Sequence, residues 1–404
     1  MEASLLAKTV RRNKFLYILT NTLTVAPSIT ATGVLMQTFL ASLGISAHWI
    51  YIHATVTQTV TMLTLLVGTR WVNSNNVIKR YAATSVPYAL LFLAFLPFCF
   101  RQSASLETFI WLVAIGALQA TATGMRSICI YILPYVIYPA EVYGTNQSMA
   151  GIISSVLSLS LGALVSVLAK AMDFSVLMGG ACILATATML IEAAAITRLK
   201  SILTLDKSAE EEKDAGKKKE DSWKTFRHPI FYTLAIPSVL RGFAAGTTTV
   251  FAAMAFDLGF DASLAANMVY LQAGASLIGC GTIGFLSKHI SIRHPVLIGS
   301  LGFLLLPLFF LGNGTVFLIT VTLVIFFLTL INYGVPILLR NAVPMEIAGS
   351  YNAWRMILHS GGTVMATTVA AMIPAQLLIG ITIICSLISG FAFFLSKEIR
   401  SANS

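Results

Sequence analysis

Several basic side chains fall within hydrophobic stretches of this chain, and four of them are the main candidates for binding chemistry. They are Arg126, Arg241, Arg355 and His359. A charged group at bilayer depth costs at least ~2.5–3.5 kcal/mol, so each of these residues is a candidate functional residue. Arg keeps its charge at all physiological pH values and can bind a carboxylate or phosphate through two parallel hydrogen bonds. The four residues together predict a binding site for an anion.

Acidic residues that could neutralise these cations are scarce in the same stretches. Glu192 is the only one inside a predicted span, and it lies near the end of that span. Because an unpaired buried charge is strongly unfavourable, either an anionic ligand and water neutralise the arginines or the protein does so itself. The candidate protein partners are backbone carbonyls, Glu192 and the loop residue Glu346. We expect ligand contacts for Arg126 and Arg241, assisted by His359, and either role suits Arg355.

Polar side chains at helical spacing extend the candidate site to other segments. The first span carries polar residues from Asn21 to Thr32, and the second carries a stripe from His53 to Thr64 beside Gln58. A spacing of three or four residues places each stripe on one helix face. Such stripes either line a wet cavity or join neighbouring helices. The further substrate-binding candidates are Asn21, Gln58, Asn332, Tyr333 and Tyr270.

A chain of this composition cannot cover itself with a polar surface. Of its 404 residues, 57% are hydrophobic and only 10% are charged, and the mean hydropathy is +0.83. Soluble domains carry about 25% charged residues, so the composition indicates an all-α integral membrane protein. About 20 apolar residues cross a bilayer as a helix, and the chain has twelve such segments. The predicted spans are residues 15–41, 48–69, 82–100, 107–136, 146–168, 174–197, 229–256, 263–286, 294–312, 315–339, 350–373 and 376–396.

The positions of the basic residues predict the orientation of the chain. Arg101 and Lys170 fall on one side of the predicted spans and three arginines fall within spans, whereas the remaining 21 of the 26 Lys and Arg lie on the other side. This positive-inside pattern predicts a multi-pass protein of the cell membrane with both termini in the cytoplasm. The net charge of +10 therefore reflects topology, and we expect no nucleic-acid partner.

The sequence offers no constellation typical of an enzyme or of a metal site. It contains no P-loop, no H-E-x-x-H motif and no pair of acids within a span, so we expect neither catalysis nor a cofactor. The five cysteines lie in or at the edges of spans without metal-ligand spacing, and we interpret them as small packing residues.

Two short strings recur at corresponding places in the two halves of the chain. LGISA at residues 43–47 matches LGFDA at 258–262, an offset of 215 residues. YPAEVYGT at residues 138–145 matches VPMEIAGS at 343–350, an offset of 205, with Pro, Glu, Gly and a hydroxyl residue at identical spacing. Six spans return the chain to its starting side, so the halves predict a parallel repeat about an axis along the membrane normal.

With these features the sequence resembles the major facilitator superfamily over nearly its whole length. The resemblance implies twelve helices in two pseudo-symmetric six-helix lobes, residues 1–197 and 229–404, joined by a charged cytoplasmic linker at 198–228. It also implies that the acids of the repeated strings and a basic residue after the second span close the cytoplasmic gate. The corresponding residues are Glu141, Glu346 and Arg70.

The resemblance implies a secondary transporter that works by alternating access around a site at the bilayer midplane. Combined with the buried cations, it predicts that the cargo is a small organic anion. The alternatives are a neutral polar solute, such as a sugar or nucleoside, and a non-transporting sensor on the same fold. If the protein is a proton symporter, His359, Glu192 or the substrate itself carries the proton. We expect a monomer in the lipid bilayer.

Overall fold

The structure, a computed structural model, describes residues 2–31, 34–68, 71–72, 76–101, 105–138, 140–202, 229–286, 289–343 and 348–396. Those residues form helices and connecting turns, and none of them forms a strand. We number the helices α1 to α12 after the predicted spans. The first half contains α1 (in three pieces, Glu2–Leu23, Val25–Ala31 and Val34–Ser42), α2 (Ala47–Gly68), α3 (Val77–Cys99), α4 (Leu106–Ile137), α5 (Ala140–Ala171) and α6 (Phe174–Ile196).

The second half contains the same number of helical units. They are α7 (in two pieces, Pro229–Thr248 and Phe251–Asp257), α8 (Ala262–Leu286), α9 (Arg293–Leu301, continued by the 3-10 helix Gly302–Leu311), α10 (Gly314–Ala342), α11 (Ala348–Met372) and α12 (Ala375–Leu395). The segment between α6 and α7 lies mostly outside the described residues, so the lobe and linker boundaries stay a prediction.

The helices are long and apolar enough for a multi-pass membrane protein. Within the described ranges, ten helices could cross a membrane, or eleven if the bent pair in α7 counts as one span. α11 is also long enough, with 25 residues, but it carries Arg355 and His359 and is not among the apolar helices. The fold is therefore all-α and consistent with twelve spans. Predicted and observed bounds agree within a few residues, except that α1 begins at Glu2, α3 at Val77 and α5 at Ala140.

Large apolar side chains cover the outside of the bundle. Ile236 and Ile278 are each 64% exposed, and Leu63 and Ile110 are more than half exposed. A surface of this kind is unfavourable in water and favourable against lipid tails. The exposed apolar belt therefore agrees with the composition.

The repeated string after the first helix of each half adopts the same conformation twice. Gly44 and Gly259 both have φ of 82°, a left-handed conformation that glycine adopts without steric cost. The amide of Ile45 bonds to the carbonyl of Leu40 at 3.2 Å, and the amide of Phe260 bonds to that of Ala255 at 3.0 Å. Each helix thus ends in the same six-to-one hydrogen bond, which is the Schellman arrangement.

Both α1 and α7 are interrupted within the membrane. Pro27 has no N–H to offer the carbonyl four residues earlier, so the first piece of α1 ends at Leu23. The two pieces of α7 meet at an angle of 50° around Thr249. A break of this kind frees backbone groups that lipid cannot satisfy, so protein groups must bond to them.

Gln37 of α1 supplies those bonds at the break in α7. Its amide nitrogen donates to the carbonyl of Thr249, and its Oε1 accepts from the backbone N–H of Ala253 at 3.1 Å. The side chain is 5% exposed. One glutamine from the first half therefore caps both pieces of a helix in the second half.

Contacts between the halves occur at both ends of the bundle. At the end opposite the start of α1, the Tyr51 hydroxyl donates to Asp257 at 2.7 Å. At the end where α1 starts, Ile357 of α11 joins an apolar cluster of the first half that includes Leu65 and Ile128. Between these ends α5 and α8 pack closely, since a Cβ at Gly162 would lie 2.8 Å from the Cα of Tyr270.

Replacing Gln37 by Leu should loosen the outer piece of α7. The substitution leaves two buried backbone groups without partners, and each such group costs about 1–3 kcal/mol. Hydrogen–deuterium exchange should therefore show the Ala253 amide exchanging at least about ten-fold faster in Q37L than in the wild type. Gln58→Leu, on the neighbouring helix α2, is the matched control. Unchanged exchange at Ala253 in Q37L would show that the amide does not hold the break.

Candidate functional site

Arg126 of α4 forms a buried ion pair within the first half of the chain. Its Nη1 and Nη2 donate to the two carboxylate oxygens of Glu192 on α6, at 2.6 and 2.7 Å. The Ser85 hydroxyl and the Tyr81 hydroxyl, both on α3, also donate to that carboxylate. Arg126 is 4% exposed and Glu192 is fully buried.

Aromatic rings complete the enclosure of this ion pair. The guanidinium carbon of Arg126 lies 5.1 Å from the ring centre of Tyr81 and 5.2 Å from that of Tyr88, within the range of cation–π attraction. Of the alternatives that the sequence leaves open for Arg126, the structure therefore shows pairing with Glu192. The ion pair therefore includes Glu192, one of the candidate carriers of a coupled proton.

Close packing of α7 against α11 creates a second group of cations. A Cβ at Gly242 would overlap the carbonyl oxygen of His359, and a Cβ at Gly362 would overlap that of Val239. Glycine at both positions lets the two backbones touch, as small residues do between membrane helices. The side chains of Arg241 and His359 are consequently brought side by side.

Arg241 extends from α7 to α10 in the middle of the second half. Its Nη2 donates to the Oδ1 of Asn332 at 2.9 Å, and the side chain is 7% exposed. The imidazole of His359 lies against the backbone of Ser238 and within electrostatic range of both Arg241 and Arg355. Its Nδ1 is buried without a hydrogen-bond partner among the residues that the structure describes.

Arg355 lies on α11, one turn before His359. The side chain is 6% exposed, and its Nε is buried without a partner. Within the described part of the chain, no hydrogen bond or ion pair reaches this guanidinium. Tyr351 lies one turn before Arg355. Its buried hydroxyl also has no hydrogen-bond partner among the described residues. We call Arg241, Arg355 and His359 the cationic cluster.

The other predicted ligand residues lie outside the cationic cluster, apart from Asn332. Asn21 donates to the carbonyl of Tyr17 on its own helix at 2.8 Å. Gln58 lies half-buried on α2. The α2 stripe beside Gln58 packs against α4, because a Cβ at Gly116 would meet His53 Nε2 at 2.8 Å. The described hydroxyls of these stripes bond mainly to carbonyls of their own helices, and Thr61 also reaches the carbonyl of Ala120 on α4 at 3.5 Å.

Tyr333 and Tyr270 lie at the contact between the halves. Tyr333 of α10 is hydrogen-bonded to Cys280 of α8, and a Cβ at Gly151 of α5 would lie 3.1 Å from its hydroxyl. The backbone of Tyr270, on α8, lies against Gly162, which is on α5 as Gly151 is. Both tyrosines therefore contact the surface along which the halves would move past each other.

The proposed gate cannot be compared with the structure. Arg70 and Glu346 lie outside the described residues, and so does the side chain of Glu141. Their gating role stays a prediction. Sequence reasoning missed Tyr351, Gln37 and the close approach at Gly242. The spacing of four residues from Arg355 was the available signal for Tyr351, and a glutamine in an apolar segment was the signal for Gln37.

No protein-family model matches the sequence, and no curated protein matches it significantly. Solved structures match along almost the entire chain. A bacterial homologue of the iron transporter ferroportin, in an outward-facing state with soaked iron, has a TM-score of 0.66 at 14% identity, covering 95% of this chain and 98% of that chain. The nucleoside transporter NupG has a TM-score of 0.62 at 16% identity, with the same coverage of both chains.

The xylose transporter XylE from E. coli, in a partially occluded inward-open conformation, has a TM-score of 0.66 at 11% identity, covering 95% of this chain and 97% of that chain. Identities this low show the fold and not the substrate. The fold is that of the major facilitator transporters, as the sequence resemblance implied.

Removing one partner of the Arg126–Glu192 pair should destabilise the protein far more than removing both. Arg126→Met or Glu192→Leu leaves a buried charge unpaired, at a cost of about 3–5 kcal/mol, whereas an apolar pair of similar volume is often tolerated. Thermal unfolding in detergent should therefore show low melting temperatures for both single variants and a recovered one for the double variant.

The same double variant separates a structural role from a role in cargo binding. If Arg126 serves only the ion pair, R126M/E192L should retain solute binding. A double variant that is stable but has lost all binding would assign Arg126 to the cargo instead.

Proposed function

We propose that this chain, built on the major facilitator fold, is a secondary transporter that moves a small anionic solute across the membrane by alternating access. The choice of an anion rests on the environment of Arg355. Its guanidinium is buried, and no protein partner among the described residues neutralises it. Arg241 and His359 lie beside it, so the positive potential is concentrated at one place.

The physical argument follows from the cost of burying charge. A cation without a counter-charge in a low-dielectric interior is strongly unfavourable, and two neighbouring guanidiniums also repel each other. A carboxylate or phosphate between them would replace repulsion with attraction and satisfy guanidinium N–H groups in pairs. A site of this kind is most stable when it is loaded, which suits a carrier that changes conformation around its cargo.

Alternating access requires that contacts between the halves break first at one face and then at the other. Such contacts are present at both faces: Tyr51 with Asp257 at one, and Ile357 with the cluster around Leu65 at the other. Similar structures are named as outward-facing and as partially occluded inward-open. These observations support a rocking motion about the close α5–α8 contact at Gly162.

The orientation, location and coupling belong to the same proposal. The positive-inside pattern supports the proposal that both termini lie in the cytoplasm and that the protein resides in the cell membrane. Arg126 already holds Glu192, so His359 or the cargo is the better candidate to carry a coupled proton. Glu141, Glu346 and Arg70 keep their proposed gating role on the cytoplasmic side, and the protein is proposed to act as a monomer.

A neutral polar solute is the second candidate. Two of the similar structures are named as transporters of nucleosides and of xylose, and Asn332 offers an amide beside the cluster. Iron, for which the ferroportin homologue is named, is not part of our proposal, because a cluster of guanidiniums repels metal cations. A non-transporting sensor would bind its ligand without any flux in proteoliposomes.

Replacing Arg355 by Gln should abolish anion binding and leave the fold intact. A thermal-shift screen of the purified wild type against carboxylates, phosphorylated metabolites, sugars and nucleosides identifies the ligand, since a bound ligand raises the melting temperature. Affinity for that ligand should fall at least about 30-fold in R355Q and in R241Q, because charge-assisted hydrogen bonds are lost. Uptake into proteoliposomes should fall in parallel.

Arg101→Gln is the matched control, because it removes a surface guanidinium that donates to Thr108 at 2.8 Å. R101Q should bind and transport normally. Full competition by sugars or nucleosides, together with unchanged affinity in R355Q, would favour the neutral solute over the anion.

A further inference from the structure

Tyr351 is a buried tyrosine whose hydroxyl has no hydrogen-bond partner among the residues that the structure describes. It precedes Arg355 by four residues on α11, so the two side chains lie on one helix face, one turn apart. The side chain is 1% exposed, and its Oη forms no hydrogen bond within the described structure. The Arg355 guanidinium lies within electrostatic range of the Tyr351 phenol.

An unpartnered hydroxyl in this position calls for an explanation. More than nine tenths of buried polar groups in proteins form hydrogen bonds, because losing water without a replacement costs free energy. Tyr351 belongs to an apolar cluster that includes Leu339 and Val343. A phenylalanine would fill the same volume there without that cost.

We propose that Tyr351 is a ligand of the transported anion, and that its hydroxyl and the Arg355 guanidinium bind the same carboxylate or phosphate group. The inference rests on the proposed function, since it adds a second donor to the site assigned to Arg355. His359, one turn beyond Arg355, has its Nδ1 without a partner on the same face. The described residues of α11 thus present three unsatisfied polar groups at successive turns, with the guanidinium in the middle.

The chemistry of these donors selects an oxyanion. A phenol O–H and guanidinium N–H groups all donate, and a carboxylate or phosphate has enough lone pairs to accept from both side chains at once. A sugar hydroxyl could accept one of these bonds but could not offset the charge. The apolar surroundings strengthen each bond, because water does not compete for it.

The experiment compares the full-length wild type with Y351F, R355Q and a matched control. Purified protein in detergent is titrated with sodium acetate, sodium succinate and inorganic phosphate, with sodium chloride as the control for ionic strength. Thermal unfolding gives the melting temperature without probe and the concentration of each probe that produces half of the full shift. Tyr138→Phe is the control, because the Tyr138 hydroxyl is buried but donates to the carbonyl of Asn13 at 3.2 Å.

Y351F should change stability and binding in opposite directions. Without probe, its melting temperature should rise by about 2 °C, because an unpaired hydroxyl is removed with little change in shape. Its affinity for the best probe should fall about ten-fold, because a hydrogen bond to a charged group is lost. Y138F should melt at a lower temperature and bind normally. A better response to acetate and succinate identifies a carboxylate, and a better response to phosphate identifies a phosphoryl group.

Two results would overturn the role of Tyr351 and leave the proposed function in place. One is a lower melting temperature of Y351F without probe, which would mean that the hydroxyl already has a partner. The other is unchanged affinity in Y351F while R355Q loses binding. If no probe shifts the wild type beyond the chloride control, the oxyanion site itself fails, and the proposed function fails with it.

Discussion

A positive charge buried in a membrane protein needs a negative counterpart, and this requirement governs the interior of the molecule. The first half meets it with its own residues, since Glu192 holds both arms of Arg126 and α3 contributes hydroxyls and rings around the pair. The second half has Arg355 without such a partner among its described residues. The two halves of the repeat therefore differ in whether a described carboxylate pairs with the buried arginine. The first half pairs it within the helix bundle, and in our proposal the second half leaves it available to a ligand.

The cationic cluster depends on how closely two helices approach. Gly242 and Gly362 allow the backbones of α7 and α11 to touch, which brings His359 beside Arg241. Larger residues would separate the helices and the charges with them. Asn332 of α10 accepts a hydrogen bond from Arg241. Helices α7, α10 and α11 of the second half therefore define the site. In the proposed mechanism, a cluster held within one half would move with that half as a rigid unit, and contacts with the other half would control access to it.

Those contacts include hydrogen bonds at one end of the bundle and apolar packing at the other. Gln37 completes the hydrogen bonding of a broken helix in the opposite half, and Tyr51 bonds to Asp257 nearby. Breaking such bonds costs little when water can enter at the same time, which is the condition at an opening face. At the other end, Ile357 packs into an apolar cluster of the first half. In the proposed transport cycle, the contacts at one face would be exchanged for those at the other.

Local patterns in the sequence determined the membrane helices, the repeated turns at Gly44 and Gly259 and the face that Arg355 shares with His359. These features depend on hydropathy and on spacing within a single helix, which a chain carries wherever it folds. Only the tertiary structure decided that Arg126 meets Glu192, 66 residues away along the chain, that Gln37 caps α7, and that the Tyr351 hydroxyl has no hydrogen-bond partner within the described part of the chain. Partners of this kind are set by which helices pack together and at what height. The sequence could show that the cations were buried, but their counter-charges depend on distances between helices that no local periodicity encodes.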